Sequence, residues 1–131
     1  MKNLLYKKEC YAIQGAIYNV YNNLGSGFLE AVYQECLELE FANLNIPYMA
    51  QYNIDILYNG MKINQKYRAD IICYEKIIIE IKAVKEISEI HIAQLINYLK
   101  ATGIKLGLLV NFGSYPKAEI KRYILENKMK I

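Results

Sequence analysis

The chain has 131 residues and a mass of 15.2 kDa, which points to one domain with one real core. With 54% hydrophobic and 22% charged residues, it is neither a disordered tail nor an acidic linker. Its formal charge of +3 is uneven: residues 1–65 sum to −2 and residues 66–131 to +5, so a phosphate-binding surface would draw mainly on the second half, although the same lysines also suit an ordinary solvated surface.

Lys7, Lys8 and Glu9 interrupt the start before an apolar signal region can form. The uncharged stretch 10–29 has the length of a membrane span, but it holds Gln14, Asn19, Asn22, Asn23, Ser26 and three glycines, and its apolar residues are periodic rather than continuous. No membrane contact is expected. Ile13, Ala16, Ile17, Val20 and Leu24 fall at helical spacing and predict a first helix that stops near Gly25, with Gly25, Ser26 and Gly27 as the turn. A second helix is predicted over 28–43, with Asn45 and Pro47 marking its exit. Its stripe of Glu30, Tyr33, Leu37, Phe41 and Leu44 faces inward, so Glu30 is expected to look toward the sheet. A glutamate in a first helical turn is also favoured by the helix dipole alone.

Residues 51–58 alternate as a strand, Asn59-Gly60 is a two-residue hairpin signal, and the return strand begins at Met61. Residues 67–73 read as a further strand, and 77–84 as an apolar one buried on both faces at the centre of the sheet. A third helix is predicted over 90–101, with Ser88 as N-cap and Gly103 as terminator. Leu106 to Val110 is a short buried strand; 117–125 fits either period and is read as a strand. No repeat, low-complexity segment or linker is visible.

Cys10, Cys36 and Cys73 are odd in number, widely spaced and free of any CxxC, so neither a disulfide framework nor a zinc site is suggested. A reducing, cytoplasmic setting follows. The cysteines read as small apolar residues rather than nucleophiles, since His91, the only histidine, would have to serve as base.

The chemistry lies in Ile77-Ile78-Ile79-Glu80-Ile81-Lys82, where a carboxylate and an ammonium interrupt the most apolar segment of the chain. Each loses several kcal/mol of hydration when buried alone, so such groups need each other, a cation or a solvated cleft. Glu80 and Lys82 are two apart on a strand and share a face. If Tyr74-Glu75-Lys76 is a three-residue loop, the ladder pairs 73 with 77 and 70 with 80, setting Asp70 beside Glu80 with Cβ atoms about 4.5 to 5.5 Å apart. A two-residue loop would turn Asp70 to the other face. Two hard carboxylates with room for water suit Mg²⁺ or Mn²⁺, and such an ion beside a lysine is a phosphodiester site. The same three residues also make a structural cross-strand charge cluster. On the third helix His91, Gln94 and Tyr98 form a polar stripe beside Ile92, Leu95, Ile96 and Leu99, facing either the substrate or the core boundary.

Taken in order, Asp70, Glu80-Ile81-Lys82 and Gln94-Leu95-Ile96-Asn97-Tyr98 resemble the PD-(D/E)XK nuclease superfamily, especially its RecB-like branch with Q-x-x-x-Y. Gly27-Phe28-Leu29-Glu30-Ala31-Val32-Tyr33 is similar to the pattern for which the GxxExxY proteins are named, and Tyr67-Arg68-Ala69-Asp70, Tyr98 to Gly103 and Asn111-Phe112-Gly113 resemble further blocks of that family. Ala69 stands where the motif's name has proline. The resemblance implies an α/β fold with a restriction-endonuclease-like αβββαβ core, a mixed central sheet flanked by helices. It also implies Glu30 as the helix carboxylate, Asp70 and Glu80 as metal ligands with the Ile81 carbonyl as a further one, Lys82 as the catalytic lysine, and Gln94 with Tyr98 as its support. The expected activity is Mg²⁺-dependent (or Mn²⁺-dependent) hydrolysis of nucleic acid, DNA before RNA. The alternative is a noncatalytic module that keeps the fold and binds nucleic acid or a protein. A homodimer suits a small domain this apolar.

Overall fold

The computed structural model describes residues 4–126. Its elements are α1 (Lys7–Leu24), α2 (Glu30–Asn43), β1 (Tyr48–Tyr58), β2 (Met61–Cys73), β3 (Ile77–Lys82), α3 (Glu89–Thr102), β4 (Leu106–Asn111) and β5 (Glu119–Ile124). They build one five-stranded sheet in the order β1-β2-β3-β4-β5, antiparallel except for the parallel pair β3–β4. A parallel neighbour requires a crossover, and α3 is that crossover. The αβββαβ core is therefore α2-β1-β2-β3-α3-β4, with α1 added before it and β5 after it.

Two apolar layers hold the sheet. Ile77, Ile79 and Ile81 of β3 pack with Ile13, Ile17 and Val20 of α1 and Tyr33, Leu37 and Phe41 of α2. On the opposite face, Ile78 and Leu109 pack with Leu95, Tyr98 and Leu99 of α3. The continuous apolar run of β3 is explained by this burial on both sides. Among the described residues no helix is long and apolar enough to cross a membrane.

Turn chemistry sets the registers. Asn59 and Gly60 both have positive φ (51° and 79°), the signature of a tight hairpin turn whose twist matches its strands. Between β2 and β3 the loop is Tyr74-Glu75-Lys76, with Tyr74 and Glu75 left-handed and the Lys76 N–H donating to the Cys73 carbonyl at 3.1 Å. The ladder consequently pairs Cys73 with Ile77, Ile72 with Ile78 and Ile71 with Ile79. Helix α1 ends where Gly25 adopts φ 68° and α3 where Gly103 adopts φ 76°.

Some boundaries differ from expectation. β1 begins at Tyr48 because pairing with Cys73 starts directly after Pro47. The two strands expected within 61–73 are one unbroken β2. β3 stops at Lys82: the next backbone groups, the Val84 N–H and carbonyl, bond the side chain of Asn111 instead of a strand. Cys10, Cys36 and Cys73 are free thiols, and burial pushes Cys73 up to about 12, as befits an inert core residue.

Candidate active site

The alternation of β1 and of β2 breaks at one rung. In β2, Ile71 faces the α1–α2 layer, yet Ala69 joins the α3 layer with Ile72. In β1, Tyr48 lies against the α1–α2 layer and Ile54 in the α3 layer, although six residues should return to the same face. The ladder pairs Ala50 with Ile71 and Tyr52 with Ala69 but skips Gln51 and Asp70, and Gln51 is left-handed with φ 53°. Asp70 thus stands at a kink, released from its neighbour on β1.

The carboxylates use that release. The backbone N–H of Asp70 donates to Glu80 Oε2 at 2.9 Å, and the N–H of Ile81 donates to Asp70 Oδ2 at 2.7 Å. Each acid holds the other's strand, so Asp70 and Glu80 are joined through their side chains just beyond the last ladder pair, Ile71 with Ile79. Glu80 is 4% exposed and Asp70 half-buried. Burial, followed by the charge of Asp70, pushes Glu80 up to about 8; burial likewise raises Asp70, against the Ile81 N–H and Lys82, which lower it. Without a cation this pair retains a proton near neutrality.

Lys82 extends over the same face, its Nζ 3.5 Å from Gln94 Oε1 of α3, a long contact. Tyr98, one turn further along α3, is buried and packs edge-on against Tyr67 at 5.1 Å between centroids. Burial first, then the charges of Glu80 and Asp70, pushes its hydroxyl up to about 12, so it remains a proton-bearing donor. His91 is occupied elsewhere: its Nδ1 accepts from the Ser88 N–H at the start of α3.

Glu30, expected to look inward, is exposed. It stands on the rim of a cleft of about 460 Å³ whose wall includes Gln34, Gln51, Asp70 and Ile81, and its charge acts on both Asp70 and Glu80. The reason is that the inward row of α2 begins one turn later, at Tyr33. That hydroxyl donates to the Gly25 carbonyl at 2.6 Å and accepts from the Phe28 N–H at 3.2 Å, while its ring stacks on Phe112 at 4.4 Å. Tyr33 therefore pins the turn that leads into α2 and sets where Glu30 begins.

Three further supports have no role assigned from the sequence, although Asn111 stands in the Asn111-Phe112-Gly113 block. Gln34 lies one turn after Glu30 and donates to the Asp70 carbonyl at 3.0 Å; its i,i+4 spacing from Glu30 was the available signal. Gln51 forms the kink on β1, with nothing local in the sequence to mark it. Asn111, fully buried, holds the Val84 N–H and carbonyl at 3.0 and 2.8 Å and accepts from the Gly113 N–H, fixing the chain just after Lys82. A Cβ on Gly113 would stand 2.3 Å from the Val84 carbonyl oxygen, so only glycine fits there.

The donor set suits a hard divalent cation. Asp70 and Glu80 each spend one oxygen on a backbone N–H, which leaves one oxygen of each carboxylate for a ligand. Among the described residues no three His, Cys, Asp or Glu side chains gather as a protein cage. Two carboxylates completed by water is a common environment for Mg²⁺.

A family description of the PD-(D/E)XK nuclease superfamily matches residues 7–123. The chain belongs to that superfamily. The structure reported as "Crystal structure of SSO0001" superposes with a TM-score of 0.56 at 22% identity, over 94% of this chain and 59% of that one, a likeness of fold. The chain thus spans about three-fifths of that structure's length. No curated protein matches it.

Proposed function

We propose that the protein is a divalent-cation-dependent nuclease that hydrolyses phosphodiester bonds in DNA, of the RecB-like branch and the GxxExxY group. The observation that carries this reading is the interlocked pair Asp70 and Glu80, with Lys82 on the next residue of the same strand face. Asp70, Glu80 and the Ile81 carbonyl would hold Mg²⁺ or Mn²⁺, with Glu30 assisting from the rim. When bound, the ion polarises a phosphoryl oxygen and acidifies a water. Lys82 donates to the attacking water or to the phosphoryl oxygen and offsets the charge that develops there. Gln94 orients Lys82, and the protonated Tyr98 hydroxyl offers a donor beside Glu80. Lysines of the second half of the chain hold the backbone of the substrate; Lys128 and Lys130 of that set lie outside the described residues. We expect a cytoplasmic protein and a symmetric dimer.

The test is a labelled panel of linear and circular duplex, single-stranded DNA and RNA, incubated with Mg²⁺ or Mn²⁺ and either wild type or Lys82→Ala. Wild type is expected to cut in a metal-dependent way, and Lys82→Ala to lose at least about 10² to 10³ in rate while staying folded. Preferential cutting of RNA would redirect the substrate. If neither folded protein cuts, the noncatalytic binding module replaces this reading.

A further inference from the structure

The kink at Asp70 leaves both of its backbone groups without a partner on β1, and each is taken by a side chain from a different element. The N–H goes to Glu80 of β3 and the carbonyl to Gln34 of α2. Gln34 is itself fixed at both hydrogens. Its Nε2 donates at 3.0 Å to the Asp70 carbonyl and at 2.9 Å to Glu38 Oε2, one turn further along α2. Two acceptors at one end of the amide leave no choice about which end carries the NH₂ group.

We propose that Gln34 is a positioning residue for Asp70. It replaces the rung that Gln51 withholds, and so holds the kink that lets the Asp70 carboxylate leave the ladder and grip the Ile81 N–H. Glu38 is the anchor that keeps Gln34 aimed. Without Gln34, the Asp70 carbonyl faces the cleft with no protein donor, and the peptide is free to rotate. That rotation would draw Asp70 Oδ2 away from Ile81 and spread the two carboxylates. The part of this proposal that concerns metal affinity rests on the nuclease reading; the part that concerns geometry does not.

The experiment separates them. Amide hydrogen exchange is followed residue by residue in metal-free wild type and in Gln34→Met, which matches the side chain in length and lacks the donor. The N–H groups of Asp70 and Ile81 should exchange about tenfold faster in the variant, with those of Cys73 and Ile78 unchanged. Mn²⁺ titrated into the same samples should bind several-fold more weakly to the variant. Unchanged exchange at Asp70 and Ile81 overturns the proposal, and so does a uniform rise across the sheet, which would mean a loss of overall stability rather than of position. If wild type takes up no Mn²⁺, the nuclease reading fails while the exchange rates still decide the role of Gln34. Should Gln34→Met fail to fold, Glu38→Ala keeps the amide and removes its anchor, and must accelerate the same two N–H groups to a lesser degree; no acceleration there overturns the proposal.

Discussion

Strand β3 presents two different surfaces to the two sides of the sheet. Toward α1 and α2 it turns Ile77, Ile79 and Ile81, which belong to the apolar layer; toward α3 it turns Ile78 and then Glu80 and Lys82. One face is apolar throughout, and the other exchanges apolar side chains for charged ones at Glu80, which is still buried, and at Lys82. A single strand can thus carry the centre of the core and the proposed site, provided that the charged groups alternate out of the packed layer and find partners in the backbone of the neighbouring strand. Substitutions on the first face should therefore cost stability and those on the second should cost chemistry.

The sharpest break of that division is on the α1–α2 side. Phe112, fully buried and stacked on Tyr33, should cost about 3 to 5 kcal/mol when changed to Ala, read from chemical denaturation, because a large cavity opens in a packed layer. A loss under about 1 kcal/mol would mean that the layer collapses around the site. Next is Gly113→Ala, where the added carbon must displace the backbone of Val84; about 1 to 3 kcal/mol is expected, together with impaired chemistry, since Val84 follows Lys82 closely. It is the one position where the two faces should fail together.

A pH titration sharpens the comparison further. In the metal-free folded chain Glu80 holds its proton up to about pH 8, whereas the unfolded chain loses it near the ordinary value of 4.5. Between those limits the folded state binds more protons, so stability falls as pH rises from about 4.5 to 8 and levels off above. Glu80→Gln should flatten this slope in denaturation curves taken across the range; an equally steep slope would place its origin elsewhere. The smallest effect belongs to the hairpin, where Asp55 bridges Lys62 and Lys66 at 3.4 and 2.8 Å in full solvent. Asp55→Ala should leave the thermal midpoint where it is.

Much of this was legible in residue order. The loop Tyr74-Glu75-Lys76 fixed the 73/77 register that brings Asp70 to Glu80, and period-two alternation placed Glu80 and Lys82 on one face. Helical spacing found Tyr33, Leu37 and Phe41 as the buried row of α2. What did not show was the shared break of alternation at Gln51 and Asp70. A left-handed glutamine in a strand has no local signature, and its cause is the set of partners that Glu80 and Gln34 supply from other elements. Glu30 misled for a related reason: an i,i+3 row predicts a face, whereas the depth of its first member depends on where the Gly25–Phe28 turn is pinned. His91 was drawn into the polar stripe of α3 by spacing, yet a helix start with a free N–H claimed it first.

In the proposed function Asp70 and Glu80 form one site for a divalent cation. Calorimetric titration of Mn²⁺ into wild type and Asp70→Ala tests it most directly. A saturable isotherm is expected for the wild type and should disappear in the folded variant. An isotherm unchanged by Asp70→Ala, or none in the folded wild type, would contradict it.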